Sequence, residues 1–271
     1  MSIPDLPPPL KRLGQNFLID PNIVRKIVAL AELSPSDHVL EIGPGRGVLT
    51  EMLSHAAGHV TAIELDPRLH AYLETRQAEF PNVELICDDA LAYPVERLPL
   101  GTVVVANLPY YISTPLLFRL LDQRGRFPRM VLMLQNEVAD RLVAQPGGLD
   151  YGVLSVMAQY AADITKSFRV SAQCFRPRPD VGSAVVLLRT NEDRRLGLQE
   201  EVAFRALVKA AFAHRRKTIV NSLRDEGYSQ EHIVKALTQL GLSQTARAET
   251  FFLDYFIELS RLISVESKGA G

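Results

Sequence analysis

Val39-Leu40-Glu41-Ile42-Gly43-Pro44-Gly45-Arg46-Gly47-Val48-Leu49-Thr50 is a short apolar run, a glycine-rich turn and the start of a helical pattern. Glycine lets a chain turn sharply and lets a ligand approach the backbone with no Cβ in the way. A strand that feeds such a turn and then a helix opens a βαβ unit, with its ligand beyond the carboxyl end of the strand. The spacing here is G-x-G-x-G. The dinucleotide fingerprint G-x-G-x-x-G wants a third glycine where Val48 stands.

Outward from this turn, more apolar runs follow: His38–Ile42, Val60–Glu64, Val83–Cys87, Val103–Asn107, Met130–Leu134 and Ala184–Leu188. They are continuously apolar, as strands covered on both faces are. Between them lie helical segments such as Val48–Ser54 and Arg68–Glu79. The alternation predicts an α/β domain with a mostly parallel sheet between layers of helix. After Arg189 the texture changes. The segment Asn191–Arg195 is a charged break, and from Gln199 onward only helical patterns appear: Val202–Ala213, His214–Arg224, Gln230–Leu240 and Ala248–Leu262. Gly227 and Gly241 stand where helices end. The expected division is therefore residues 1–195, with an N-terminal arm over residues 1–20, and a small all-helical domain over residues 196–271. Its last residues, Ser267–Gly271, are expected to fray.

With 47% hydrophobic and 23% charged residues, the composition is that of a soluble globular chain and excludes wholesale disorder. Cys87 and Cys174 provide neither a disulfide framework nor a metal cluster, so no metal is expected and a reducing compartment is the simpler setting. The start is interrupted by Pro4, Asp5 and Pro7-Pro8-Pro9 and does not read as a signal peptide. No apolar stretch nears the ~18 residues of a membrane span. The expected location is the cytoplasm. The net charge of −1 conceals an asymmetry: residues 166–224 hold 13 of the 30 Lys and Arg and 5 of the 31 Asp and Glu. That +8 segment is either a solvated face or the footprint of a polyanionic partner.

Acids close the first three strands: Glu41, Glu64, and Asp88-Asp89. Such a rim repels a pyrophosphate. It suits a ligand with ribose hydroxyls, an adenine amine, an ammonium and a sulfonium, which describes S-adenosylmethionine. Glu64 follows Gly45 by 19 residues, where an acid can take both hydroxyls of a ribose. The alternative is that these acids are helix N-caps or exposed strand ends.

The fourth strand ends in Val105-Ala106-Asn107-Leu108-Pro109-Tyr110-Tyr111-Ile112-Ser113. The lone pair of an adenine N6 amine is delocalised into its ring, so the amine attacks a methyl group only when drawn toward tetrahedral geometry. Two acceptors can do this: the Asn107 side-chain oxygen and the Leu108 carbonyl. Pro109 fixes φ and gives that carbonyl one direction. Tyr110 offers a face on which a flipped base stacks, worth ~1–3 kcal/mol. A Pro-aromatic turn with no chemistry is the competing interpretation. There is no Pro-Cys pair at this strand end for covalent attack on cytosine.

On these residues the chain resembles the ribosomal RNA adenine dimethylase family over nearly its whole length. The resemblance runs through Leu13-Gly14-Gln15-Asn16-Phe17-Leu18-Ile19-Asp20, Glu41–Gly45, Asn107–Tyr111 and Phe175-Arg176-Pro177-Arg178-Pro179-Asp180-Val181-Gly182-Ser183-Ala184. The last run, with Ala213-His214-Arg215-Arg216-Lys217-Thr218-Ile219-Val220-Asn221-Ser222-Leu223, is similar to the bacterial small-subunit branch rather than the macrolide-resistance branch that modifies large-subunit RNA. The resemblance implies a Rossmann-like class I methyltransferase domain, with a sheet of about seven strands, and a helical RNA- and ribosome-binding domain. It implies dimethylation of two adjacent adenines near the 3′ end of 16S rRNA in an assembling small subunit, by a monomer acting in ribosome biogenesis.

It also implies a role for each matching residue. Asn16 and Leu18 close over the cofactor, Gly43 meets its methionine part, Gly45 also binds it, and Glu64 meets the ribose, Asp89 the adenine and Asn107 the reaction centre. Phe175 is either a second aromatic at the target base or a core residue. Arg215, Arg216 and Lys217, read as part of a basic helix His214–Arg224, contact phosphates. Two rivals remain. Methyltransferases of DNA adenine or protein glutamine more often read Asp/Asn-Pro-Pro-Tyr, where this chain has Leu108. A non-catalytic assembly factor on the same fold has no need of Glu64, Asp89 and Asn107 together.

Overall fold

The computed structural model describes residues 6–10, 13–191 and 195–267. Residues 192–194 of the charged break and 268–271 of the tail lie outside it. The chain separates into two compact units, Met1–Asp140 with Ala161–Glu192, and Arg141–Tyr160 with Asp193–Gly271.

Among the described residues, the first unit is built on nine strands: β1 (Phe17–Leu18), β2 (His38–Ile42), β3 (His59–Glu64), β4 (Val83–Cys87), β5 (Val103–Asn107), β6 (Arg129–Gln135), β7 (Ala162–Val170), β8 (Phe175–Arg176) and β9 (Ser183–Thr190). Seven form one sheet in the order β4-β3-β2-β5-β6-β9-β7. The five from β4 to β6 are parallel, while β9 and β7 complete the sheet in antiparallel fashion. All six apolar runs of the sequence are strands of this sheet. Its edge strand β7 was not read from the sequence, because its residues alternate between covered and open positions and form no apolar run. In a second, two-stranded sheet, β1 of the arm pairs with β8 (Phe17 opposite Arg176, Leu18 opposite Phe175).

The helices of this unit are α1 (Pro21–Leu30), α2 (Val48–Ala56), α3 (Pro67–Glu74) and α4 (Ser113–Asp122). Asp20 and Asp66 cap α1 and α3, each followed by a proline at the first helical position, a pairing that starts a helix cleanly. Val24 and Ile27 of α1 and Leu49 and Leu53 of α2 pack with Val39, Val60, Val105 and Val131 into one buried core. Strand β2 runs to β3 on one side and neighbours β5 on the other. The order of connection therefore reverses between β2 and β5, and a crevice opens at the carboxyl ends of these two strands.

Helices α5 (Asn136–Val143) and α6 (Val153–Ala161) lead out of and back to the first unit, and α7 (Leu198–Phe212), α8 (Ile219–Asp225), α9 (Gln230–Gln239) and α10 (Leu253–Ser267) follow β9. The second unit is larger than residues 196–271, because it takes in Arg141–Tyr160. Aromatic packing accounts for this: Tyr160 lies 4.7 Å from Phe204 and Tyr151 6.1 Å from Phe212, ring to ring. The Tyr151 hydroxyl donates to the Phe251 carbonyl at 2.9 Å. The basic helix expected over His214–Arg224 begins later. Thr218 caps α8 by accepting from the Asn221 N–H, which leaves Arg215, Arg216 and Lys217 on the exposed turn before it. No helix among the described residues is long and apolar enough to cross a membrane.

Candidate active site

A cavity of about 1000 Å³, its open mouth included, lies in the first unit at the carboxyl ends of β2, β3, β4 and β5. It is lined by residues 13–18 of the arm, 41–46 with Val48 and Leu49, 63–65, Leu69, 88–90 and 107–112. Asn16, Leu18, Gly43, Gly45, Glu64, Asp89, Asn107, Leu108, Pro109 and Tyr110 all face this one space.

The glycine turn forms its floor. Gly43, Gly45 and Gly47 have φ of +68°, +60° and +80°, a region that side-chain-bearing residues enter at a cost. A Cβ on Gly45 would sit 3.1 Å from the Phe17 ring, and one on Gly47 2.7 Å from the Leu73 side chain. Glu64 braces the turn. One carboxylate oxygen accepts from the Gly45 N–H at 3.0 Å and the other from the Asp66 N–H at 2.8 Å. Burial pushes the Glu64 carboxyl up, and these two N–H groups oppose that rise. Asp66, which caps α3, is itself pulled down to about 2 by the Arg68 guanidinium, with Gln15 of the arm also donating to it.

Glu41 is treated differently. Its side chain is 1% exposed, and its Oε2 has no hydrogen-bond partner among the described residues. Burial drives its pKa to about 8, the neighbouring Thr50 hydroxyl offsets part of that, and the Glu64 charge adds to it. Asp89 spends one oxygen on the Leu91 N–H at 2.9 Å, in the turn that follows β4 rather than at a helix start, which leaves its other oxygen for a ligand.

At the end of β5 the Asn107 amide nitrogen donates to the Asn16 carbonyl at 3.4 Å. The amide oxygen, like the Leu108 carbonyl, accepts no hydrogen bond from the described residues. The Leu108 N–H is tied to the Met133 carbonyl at 3.1 Å, and Pro109 holds φ at −57°. The Tyr110 ring lines the cavity while its hydroxyl is anchored to the Ser183 hydroxyl at 2.7 Å.

Two expectations are corrected. Phe175 is fully buried, and its ring belongs to the core with Val24, Ile27 and Leu18, so it presents no face to a base. Arg215, Arg216 and Lys217 belong to the other unit and to a turn rather than a helix, with Lys217 paired to Asp225 at 2.5 Å and Arg215 donating to the Leu149 carbonyl at 3.1 Å. Sequence reasoning also missed residues that hold the arm. The Arg46 guanidinium lies 4.4 Å over the Phe17 ring and donates to the Pro7 carbonyl, and Arg68 donates to the Pro8 carbonyl. An exposed-looking arginine in a glycine turn carries no local sign of such a contact.

The family model for ribosomal RNA adenine dimethylase matches residues 10–262. The chain is 44% identical to a ribosomal RNA small subunit methyltransferase A of Moorella thermoacetica, over 94% of this chain and 92% of that one. It is likewise 44% identical to the protein of that name in Geobacter metallireducens, over 93% and 94%. Among solved structures it is similar to a dimethyladenosine transferase from Plasmodium falciparum (TM-score 0.80, 29% identity, covering 93% of this chain and 98% of that one). It is also similar to the 23S rRNA methyltransferase ErmE (TM-score 0.72, 28% identity, covering 92% and 100%).

Proposed function

This chain belongs to the ribosomal RNA adenine dimethylase family, and we propose that it transfers methyl groups from S-adenosylmethionine to the N6 amines of two adjacent adenines near the 3′ end of 16S rRNA. It is a methyltransferase with the class I fold. The substrate proposed is an assembling small subunit in the cytoplasm, and the enzyme acts as a monomer in subunit biogenesis. The observation that carries the reading is the pair of unused acceptors at Asn107 and Leu108, facing the same cavity as a glycine turn and three strand-end acids.

The residues fit the donor. A glycine cradle that a Cβ would fill, a buried carboxyl oxygen left unpartnered, and carboxylates spaced along the rim suit a cationic nucleoside with an amino-acid tail. Gly43, Gly45 and Glu41 would hold the methionine part, Glu64 the ribose and Asp89, through its second oxygen, the adenine amine. Asn16 and Leu18 would cover it. When bound, the donor supplies an electrophilic methyl group on a sulfonium, a good leaving group.

The protein does the rest by placement. The Asn107 Oδ1 and the Leu108 carbonyl accept the two N–H bonds of the target amine and turn its lone pair out of the ring. The Asn16 carbonyl, by accepting from Asn107 Nδ2, favours the orientation that leaves Oδ1 for the target amine. Tyr110, fixed at its hydroxyl by Ser183, keeps its ring in place for the flipped base to stack. The amine proton becomes acidic only after transfer and leaves to solvent, so no strong side-chain base is required. Arg215, Arg216 and Lys217 contact phosphates of the subunit RNA.

The test is transfer of labelled methyl from S-adenosylmethionine to small subunits that lack these methyl groups, with the modified nucleotides mapped by reverse-transcription stops. Two adjacent stops near the 3′ end of 16S rRNA are expected. Label in 23S rRNA, in DNA or in protein only would overturn the assignment.

A further inference from the structure

The arm meets the cavity through residues 13–18, and one side chain in it uses both of its ends. Gln15 Oε1 accepts from the Leu10 N–H at 2.7 Å, and Gln15 Nε2 donates to Asp66 Oδ2 at 3.0 Å. Asp66 is a fixed partner. It is buried at the start of α3, and the Arg68 guanidinium first, then Gln15, hold its carboxyl down to about 2, so it is a full carboxylate at neutral pH. A hydrogen bond to a charged acceptor is among the stronger ones. Asp66 also gives its own N–H to Glu64 at 2.8 Å, so the arm is tied to the residue that braces that acid.

The consequence falls on the next residue. Gln15 and Asn16 share a rigid peptide bond, so fixing one limits where the other can lie. The Asn16 carbonyl is the acceptor for Asn107 Nδ2, at 3.4 Å. That bond is long, and it orients an amide only while the acceptor is itself held still. Within the arm, Asn16 Nδ2 donates to the Gly14 carbonyl at 3.0 Å. Among the described residues, two hydrogen bonds join residues 13–16 to the cavity walls: Gln15 to Asp66, and Asn107 to Asn16.

We propose that Gln15 is a positioning residue for methyl transfer: by tying the arm to Asp66 it holds the Asn16 carbonyl where it turns Asn107 Oδ1 toward the target amine. The inference rests on the reading of Asn107 as an acceptor at the reaction centre. With the arm released from Asp66, the amide is free to turn, and Asn107 then presents donor N–H groups to an amine that needs an acceptor. The arm therefore contributes to rate and not only to cover.

Exchanging the two partners tests this, with methyl transfer by the full chain to small subunits that lack the methyl groups and the donor titrated to saturation. Gln15→Glu keeps an acceptor for the Leu10 N–H but sets a second carboxylate against Asp66, and its kcat should fall about tenfold. Asp66→Asn keeps the cap of α3 but sets a second amide against Gln15, and should lose a comparable amount. The double variant Gln15→Glu with Asp66→Asn restores one donor and one acceptor in reversed direction, and its kcat should return to within about threefold of wild type. A weaker donor affinity in Gln15→Glu with kcat unchanged would overturn the proposal and leave the arm as a cover alone. So would a double variant as slow as the slower single one, since two unrelated defects have no reason to cancel. A wild-type chain that transfers no methyl to the subunits overturns the reading of Asn107, and the role of Gln15 with it.

Discussion

The two sides of the cavity are built on opposite plans. On the β2–β3 side, backbone N–H groups and guanidinium groups are spent on holding the walls: Gly45 and Asp66 on Glu64, Arg68 and Gln15 on Asp66, Arg46 on the arm. On the β5 side the wall is fixed by few bonds, one each at Asn107, Leu108 and the Tyr110 hydroxyl, and its acceptors are left open. The braced side is shaped before a ligand comes and so contributes affinity. The open side keeps its hydrogen-bonding capacity for a group that arrives later and must be distorted there, so it contributes rate.

The sharpest way to break this comparison is Asn107→Ala. Methyl transfer at saturating cofactor should drop by two to three orders of magnitude, the usual cost of removing one oriented polar group from a reaction centre, while the dissociation constant for the cofactor moves only a few-fold. Single-turnover assays beside equilibrium binding separate the two, and a pure loss of affinity would reverse the assignment. Glu41→Gln acts on folding. The native carboxyl holds its proton up to about pH 8 against 4.5 in the unfolded chain, so wild-type stability is full below pH 4.5 and falls as pH rises through this window. The variant should melt higher without cofactor, by roughly 2–3 kcal/mol at pH 9 and by almost nothing at pH 4.5. Melts across that range check it, and a gain of the same size at every pH contradicts the buried neutral carboxyl.

Glu64→Gln replaces an acceptor oxygen by an amide nitrogen that faces a backbone N–H. Cofactor affinity should weaken roughly tenfold or somewhat more, with the maximal rate little changed. A collapse of the rate instead would mean that the braced side also acts in the transition state. The smallest effect on the cavity comes from replacing Arg215, Arg216 and Lys217 together with Gln. Cofactor binding should not move, while binding to the small subunit weakens and its log–log salt slope flattens by about 2. A salt slope equal to that of the wild type removes this turn from the RNA contact.

How much of this could be read from the sequence depends on whether a residue's role is local. Strands β2 to β6 are legible because each carries a mostly apolar run of side chains between turn signals. The edge strand β7 hides because only its two end residues are fully buried and Asp163, Lys166 and Arg169 break any apolar run. The glycine turn, Glu64 and Asn107 are legible because each stands at a strand end, and a strand end in this fold is a place on the cavity rim. Phe175 is not: an aromatic within Phe175-Arg176-Pro177-Arg178-Pro179 looks loop-borne, and only its pairing with Leu18 reveals that it is core. The start of α8 was misjudged because a run of basic residues continues a helical pattern, whereas the Thr218 cap sets the true boundary. Tyr110 and Ser183 lie 73 residues apart, and no local pattern couples them.

The pairing of Phe17 and Leu18 with Arg176 and Phe175 has a consequence for biosynthesis. The roof of the cavity leaves the ribosome long before its seat does, and that seat is among the later parts of the catalytic unit. Closing so long a loop is slow, and its partner strand must exist first. A nascent chain therefore carries the glycine turn and the Asn107 turn with no cover over them, and gains a closed binding chamber only when residue 176 has emerged.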